Sequence, residues 1–411
     1  MTDRLIFGVD VGGSKVVAIV ATVGEEILVT GMSTYYYAAS EHDNNQMVSA
    51  GVVADINKVS EHVLHCLHEA KEMADCSYGS VVMNVSGSHV RNLYSIQEYN
   101  LNGESFNYDF MNKIIDDAKY QEIPNGFEIL DYEVQEYLVN NDFYAKNPVD
   151  LACDEVVSHI NLFVAKSINL KNLKKLLEKK SHCNVAKIVP SAILSASAVL
   201  TYEEKKSGTC VIDIGASTTD VVVYENGYVR ELFVLPIGGS AIINDVRTSM
   251  KVSREVAEEL VYNFGKCGVS LSSTEKVKTL NHRGDYIELS LKRLNDVISH
   301  RVRDILLILK EQLVKDGVYD IIESGFVLTG GVALLNGIDK FTAEQFDAQA
   351  RIGTPIYDGE FEEILQSPRY ATAVGLVKLS QEFFDDDVLN SDSGVEFKLV
   401  VNKIKNIFKN I

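Results

Sequence analysis

Two short stretches constrain this chain more than anything else in it. Residues 211–224 read VIDIGASTTDVVVY, an apolar strand that meets an acid, turns through small and hydroxyl residues, and returns as a strand. Residues 5–20, LIFGVDVGGSKVVAIV, do the same. Aligned on Asp10 and Asp213, the turns read D-V-G-G-S and D-I-G-A-S. Glycine and hydroxyl residues between β-branched runs offer a phosphate several N–H and O–H donors at once. A carboxylate at the strand end can hold a magnesium ion through water. One such hairpin alone reads equally well as an ordinary polar turn. A pair, one in each half of the chain, predicts two similar lobes gripping a nucleotide from either side. The candidate phosphate contacts are Gly12, Gly13, Ser14 and Lys15 in the first turn and Gly215, Ala216, Ser217 and Thr218 in the second. A strand follows each turn, so neither is a Rossmann fingerprint, and the order Gly13-Ser14-Lys15 is not that of a Walker A loop.

Two glycine pairs suit the same ligand. Gly238-Gly239, in VLPIGGSAIINDV, reads as a tight turn at a helix N-terminus, fitted to phosphate or ribose. GFVLTGGVALLNGI (325–338) reads as a strand, then Gly330-Gly331, then a helix start, where backbone beside Val332 can approach a flat ligand. The spacing predicts amphipathic helices over 253–265, carrying Glu258, and over 291–315. The small-residue helices PSAILSASAVL (190–200) and YATAVGLVKL (370–379) can pack closely enough to cross at a hinge.

Residues 55–74 have helical spacing and carry His62, His65, Cys66 and His68. With His62 and Cys66 at i,i+4, helix surface is the preferred reading over a zinc site. From about 86 to 166 glycine thins out and aromatics alternate with carboxylates. Strands near 90–99, 128–139 and 156–165 and a helix near 109–119 make a half-buried α+β insert, read as an interaction module. The basic stretch at 170–180 reads as a solvated helix face.

The expected division follows. Residues 1–85 and 167–206, with 370–384 returning, form a first lobe. Residues 86–166 are the insert, 207–240 and 327–369 the second-lobe core, and 241–326 its outer part. A net charge of −19 argues against a nucleic-acid-binding body. Six scattered cysteines without a C-x-x-C pair fit a reducing compartment. The opening residues lack a signal-peptide layout, so a cytoplasmic protein is expected.

Beyond an acidic linker at 385–394, the last stretch, 395–411, breaks with everything before it. On a helical wheel Phe397, Val400, Val401, Ile404, Ile407, Phe408 and Ile411 share one arc, with Lys398, Lys403, Lys405 and Lys409 outside it. A lysine-flanked apolar stripe on a tether fits a helix lying in a membrane interface. Each lysine near an anionic leaflet contributes about 1 kcal/mol, so one tail binds reversibly and several on a polymer bind by avidity.

The two phosphate hairpins, the Gly330-Gly331 loop and the two small-residue helices, in this order, resemble the actin-like ATPase superfamily. The insert, KNPVDL (146–151), FVLTGG and the amphipathic tail narrow the resemblance to the FtsA family of bacterial division proteins. That resemblance implies a two-lobed, ribonuclease H-like α/β fold with ATP and Mg2+ between the lobes. Asp10 and Asp213 would face the ion. It further implies actin-like filaments on anionic lipids at the cytoplasmic face of the cell membrane. The C-terminal peptide of FtsZ would be received on 241–326 near Arg301, and later division proteins on the insert. Three departures temper the implied ATPase. Ala216-Ser217 replace glycines, Val261 stands where the family often has lysine, and Val189 stands where fast hydrolysers place an acid or amide. Slow or negligible hydrolysis is therefore expected. The rival readings are a pilus-assembly relative of the same fold and, further off, a sugar kinase.

Overall fold

Residues 5–11 and 16–23 are apolar or β-branched almost throughout, and both runs are buried on their two faces. In the computed structural model, which describes residues 4–387 apart from 25, 38–46, 122, 178–182, 270, 271, 273 and 282, these runs are β1 (Arg4–Val11) and β2 (Lys15–Val23). They pair antiparallel up to Val11 opposite Val16. β3 (Ile27–Tyr36) extends the meander past β2. A small ladder, β4 (Val48–Ser49) with β5 (Val52–Val53), leads to α1 (Ile56–Met73), whose first turn is capped by Asp55. β6 (Ser80–Val85) then returns parallel to β1 on its other side.

The insert follows as β7 (Arg91–Asn100), α2 (Tyr108–Gln121), β8 (Phe127–Val139), β9 (Phe143–Ala145) and β10 (Glu155–Lys166). Its strands form one antiparallel sheet in the order β7-β10-β8-β9. α2 covers one face around Phe106, Met111, Ile114, Tyr137 and Ile160. The chain then re-enters the first sheet through α3 (Ser167–Lys175) and β11 (Asn184–Pro190), parallel to β6. α4 (Ser191–Val199) and α5 (Tyr202–Ser207) lead away, the latter opened by a Thr201–Glu204 capping box.

The second half repeats the plan. β12 (Thr209–Ile214), β13 (Thr219–Glu225) and β14 (Tyr228–Leu235) form an antiparallel meander. α6 (Gly239–Met250), α7 (Arg254–Phe264), the hairpin β15 (Lys276–Leu280) and β16 (Tyr286–Ser290), and α8 (Leu291–Lys315) precede β17 (Phe326–Thr329). α9 (Ile338–Phe346), β18 (Ala350–Ile352), α10 (Glu362–Leu365) and α11 (Ala371–Asp387) complete the described chain. The sheets read β11-β6-β1-β2-β3 and β14-β13-β12-β17-β18. Each is a three-strand meander with two parallel strands added beside its first strand. The repeat announced by the two hairpins is thus a repeat of whole sheets.

α4 and α11 pack between the two sheets, and one core runs through them from Val9 and Val17 to Val211 and Val327. A second core fills the far side of the second sheet around Ile298, Leu306, Phe326 and Phe346.

Two expectations are corrected. The helix expected to start at Gly331 begins at Ile338, and Gly331–Leu334 is a single 3-10 turn. Leu335 is extended, and the Asn336 carbonyl accepts a hydrogen bond from Cys267 N (2.9 Å), which pulls this stretch out of helix. The basic helix ends at Lys175, short of 180. The linker beyond 387 and the membrane-facing tail lie outside the described residues.

The insert also makes a contact that alternation alone did not predict. β14 is an edge strand, and an uncovered edge invites unwanted pairing. Side chains of the insert cover it. Gln135 Nε2 and Asn161 Nδ2 each donate to Val229 O at 2.8 Å, and Glu133 accepts from Val229 N at 2.9 Å. Asn92 accepts from Leu232 N at 2.8 Å, and Tyr94 donates to Arg230 O. Asn92, Gln135 and Asn161, at positions that alternation assigns to a solvated face, are buried because they stand in for a missing strand.

Candidate functional site

β1 and β12 end side by side on the gap between the sheets, at Asp10 and Asp213, both buried. The turns that follow are the same turn, closed by Gly12 N to Lys15 O and by Gly215 N to Thr218 O, each at 2.9 Å. They meet across the gap, for a Cβ on Gly13 would stand 3.0 Å from Ser217 N. Asp10 accepts from Asn84 Nδ2 (2.8 Å) of β6, whose own Oδ1 accepts from Val11 N (2.7 Å). Asp213 accepts from Ser195 of α4 and, at 3.3 Å, from Thr372 of α11. α4 and α11 therefore hold the second acid. Lys15 donates to Arg369 O and lies 4.5 Å from the Tyr370 ring centroid.

A third acid joins them. Asp220 of β13 pairs in register with Asp213, and its Oδ2 accepts from Ser86 of the opposite lobe at 2.9 Å. In the first hairpin the matching position is Val17, opposite Asp10. Asp220 lay inside the β-branched run TTDVVVY and was not singled out from the sequence, although its mismatch with Val17 is a readable break in the repeat. Asn84, Ser86, Ser195 and Thr372 carried no such signal, since partners far apart in sequence give them their place.

Burial lifts the Asp10 carboxyl to about 6, against the pull of Lys15 and with the push of Asp213. Asp220 rises to about 7 through burial and the Asp213 charge. Asp213 rises through burial, against the Ser195 hydrogen bond and Lys15. Burial lowers Lys15 despite Asp10. Three buried acids against one lysine leave the site short of positive charge. The Asp220 Oδ1 atom is buried without a hydrogen bond of its own, the Ser86 and Thr218 hydroxyls acting on the carboxylate beside it. The donor set fits a hydrated divalent cation such as magnesium.

These shifts predict a pH dependence. An acid whose folded pKa exceeds its unfolded value binds more protons when folded, so its stabilising effect is present at low pH and lost as pH rises. For Asp10 and Asp220 the window runs from near 3.8 up to about 6 and about 7. The ligand-free protein is expected to melt at a lower temperature at pH 8 than at pH 5.5. Equal or reversed melting temperatures by calorimetry would contradict these burial shifts.

Beside the acids lie the two glycine pairs. Gly330 has φ +84°, a left-handed value, and a Cβ there would stand 2.6 Å from Ile214 O and closer to Asp213. A Cβ on Gly239 would stand 2.9 Å from Val332, so the Gly238-Gly239 turn, the second phosphate turn and Val332 come together. The first amides of α6 are not free as expected. Gly239 N donates to Gly215 O (2.9 Å) and Ser240 N to Ala216 O (2.8 Å), so they brace the second turn. On α7, Glu258 pairs with Arg254 at 3.0 Å, and the exposed Tyr262 ring lies 5.5 Å from the Arg369 guanidinium. Arg301 sits apart on α8, held to Asp245 of α6 at 2.6 Å and near Asp304 at 3.7 Å. His62 stacks on Tyr35 with centroids 3.8 Å apart, while His65 and His68 pair with Glu69 and Glu72. Among the described residues no three His, Cys, Asp or Glu side chains are grouped to ligate a metal directly. Nor is any described helix long and apolar enough to cross a membrane.

Residues 210–375 match the family model for the cell division protein FtsA, and residues 87–164 match the SHS2 domain inserted in FtsA. The chain is 29% identical over 382 residues to the cell division protein FtsA of Neisseria meningitidis serogroup B, covering 91% of this chain and 90% of that one. It is 28% identical over 411 residues to FtsA of Escherichia coli K12, covering 98% and 95%. Among solved structures, a PilM-PilN type IV pilus biogenesis complex superposes with a TM-score of 0.63 at 15% identity, covering 92% of this chain and 98% of that one. An ADP-bound MreB from Spiroplasma citri gives 0.56 at 14% identity, covering 94% and 99%. These structures share the actin-like fold.

Proposed function

The chain belongs to the FtsA family of actin-like cell-division proteins, and from that premise we propose that it is an ATP-controlled tether between the division polymer FtsZ and the cell membrane. The observation that carries the nucleotide half is the pair of matched turns meeting over a buried, charge-deficient acidic cleft. In this reading Gly12, Gly13, Ser14, Lys15, Gly215, Ala216, Ser217 and Thr218 cradle the phosphates. Asp10 and Asp213 face magnesium through water. Gly238, Gly239, Glu258, Gly330, Gly331 and Val332 line the nucleoside side. Magnesium, when bound, offsets the phosphate charge that these acids would otherwise repel. MreB5 of Spiroplasma citri, which shares the fold, has been solved with ADP and with AMPPNP, which supports the nucleotide class.

Hydrolysis is expected to be slow. Val189, buried at the end of β11, leads into α4, and an apolar side chain there cannot orient an attacking water. ATP then acts chiefly on lobe closure and assembly. The protein polymerises at the division site on the cytoplasmic face of the membrane and is held there by the 395–411 helix. The FtsZ C-terminal peptide docks on 241–326. There Arg301 exchanges part of its Asp245 pairing for the peptide, and the insert receives later division proteins. The fold likeness to PilM keeps a pilus-assembly role as the second reading, and the lysine-flanked tail separates the two.

The test is co-sedimentation with anionic liposomes in the presence of ATP, with the full chain and with a chain ending at residue 394. Removing four lysines and nine apolar side chains, seven of them on the stripe, is expected to cut bound protein at least about tenfold. Unchanged binding would sink the tether.

A further inference from the structure

We propose that residues 353–361 form a strap that limits how far the two lobes can swing apart, with the Tyr357 hydroxyl as its tie to the first lobe. The inference goes beyond the nucleotide reading above and rests on it only where lobe opening is read through ATP. The strap leaves β18 at the edge of the second sheet and is anchored at three places within five residues. Gly353 N donates to Leu328 O of β17 at 2.7 Å, and Ile356 N donates to Ala198 O of α4 at 2.8 Å. Val29 N of β3 donates to the Tyr357 hydroxyl at 3.1 Å. β17 belongs to the second sheet, α4 packs between the sheets, and β3 is the edge of the first.

Each anchor is closely fitted. A Cβ on Gly353 would stand 2.6 Å from Val327 Cγ1 and 3.0 Å from Val199 Cβ, so the strap starts pressed against β17 and α4 together. Val29 is fully buried, and Tyr357 is 8% exposed. Gly359 has φ +144°, and a Cβ there would stand 2.8 Å from the Tyr357 hydroxyl oxygen, so the chain folds back over that hydroxyl. A connection that only had to reach α10 would need none of these anchors. Pro355 fixes its own φ and keeps Thr354 extended, which stiffens the span. Gly353 and Tyr357 are four residues apart, so the chain between them reaches at most about 14 Å. Moving β3 further from β17 must therefore break a tie, and the one made by a side chain is the Tyr357 hydroxyl.

The test compares the full chain with Tyr357→Phe, which keeps the ring and removes the tie. Hydrogen exchange without nucleotide is measured over 27–31, which reads the tie, and over the facing turns 12–15 and 215–218, which read lobe opening. Dissociation of ATP in magnesium is followed by stopped flow. In the variant, exchange at all three places should be about tenfold faster, the scale of one buried hydrogen bond, and ATP should leave about tenfold faster. Ile356→Ala is the control, since that side chain is 51% exposed and its backbone anchor stays, and every rate should match wild type. Unchanged exchange over 27–31 would overturn the tie. Faster exchange there with unchanged turns would reduce the contact to local packing and overturn the strap. So would an Ile356→Ala variant that behaves as Tyr357→Phe does. A wild-type chain that binds no ATP would overturn the nucleotide reading instead, with exchange at the turns still deciding the strap.

Discussion

Gly375→Val is expected to cost the protein about 3 kcal/mol or more and to loosen the two lobes from one another. At Gly375, α11 crosses α4 backbone to backbone. A Cβ there would stand 2.8 Å from Leu194 Cα and nearer still to the Leu194 carbonyl carbon and oxygen. Those atoms belong to a helix and cannot rotate aside as the end of a side chain can. The helices must separate, and they carry Ser195 and Thr372, the donors to Asp213. Stability and ATP affinity should therefore fall together. Gly331→Ala is the matching control, since a Cβ there meets nothing within 4 Å and the change should fall within about 0.5 kcal/mol of wild type. Urea unfolding of the two variants checks the pair. A Gly375→Val protein as stable as the control would mean that the crossing is not tight.

The second large effect is expected at the insert. Replacing Gln135 and Asn161 together by leucine removes the two short hydrogen bonds to Val229 O and leaves that carbonyl only the long 3.5 Å contact from the Tyr94 hydroxyl. The cost should be about 2–4 kcal/mol of docking. Undocking would release the Val229 and Leu232 amides from Glu133 and Asn92. Hydrogen exchange over 228–235 should accelerate while the first-lobe strands keep their protection. An exposed β14 edge should also make the variant prone to aggregate. Unchanged exchange over 228–235 would show that other contacts hold the insert in place. β14 also runs into the Gly238-Gly239 turn that braces the second phosphate turn. The insert and the cleft thus share one strand.

The division of labour between sequence and tertiary structure shows in particular residues. The strands around Asp10 and Asp213 were legible because a buried β-run followed by glycine and hydroxyl residues is a local pattern, written within fourteen or sixteen consecutive residues. The glycine pairs and the small-residue helices were legible for the same reason, since a glycine or serine where bulk is expected signals close approach. The Gly331 helix start was misread because the pull on that segment comes from Cys267, far off in the chain. That the Gly239 and Ser240 amides brace the second turn was not legible, because their acceptors, Gly215 and Ala216, belong to another turn.

By itself, then, the sequence determined the duplicated strand-turn-strand units, the family and the lysine-flanked tail, all carried by residues near one another along the chain. Tertiary structure alone decided that Asp220 joins Asp10 and Asp213, that Ser195 and Thr372 steady Asp213, and that the insert's polar face stands in for a strand beside β14. Burial and hydrogen bonding act across space. A polar residue in a strand reads the same whether its partner is water or the backbone of another lobe, and only the packed chain tells them apart.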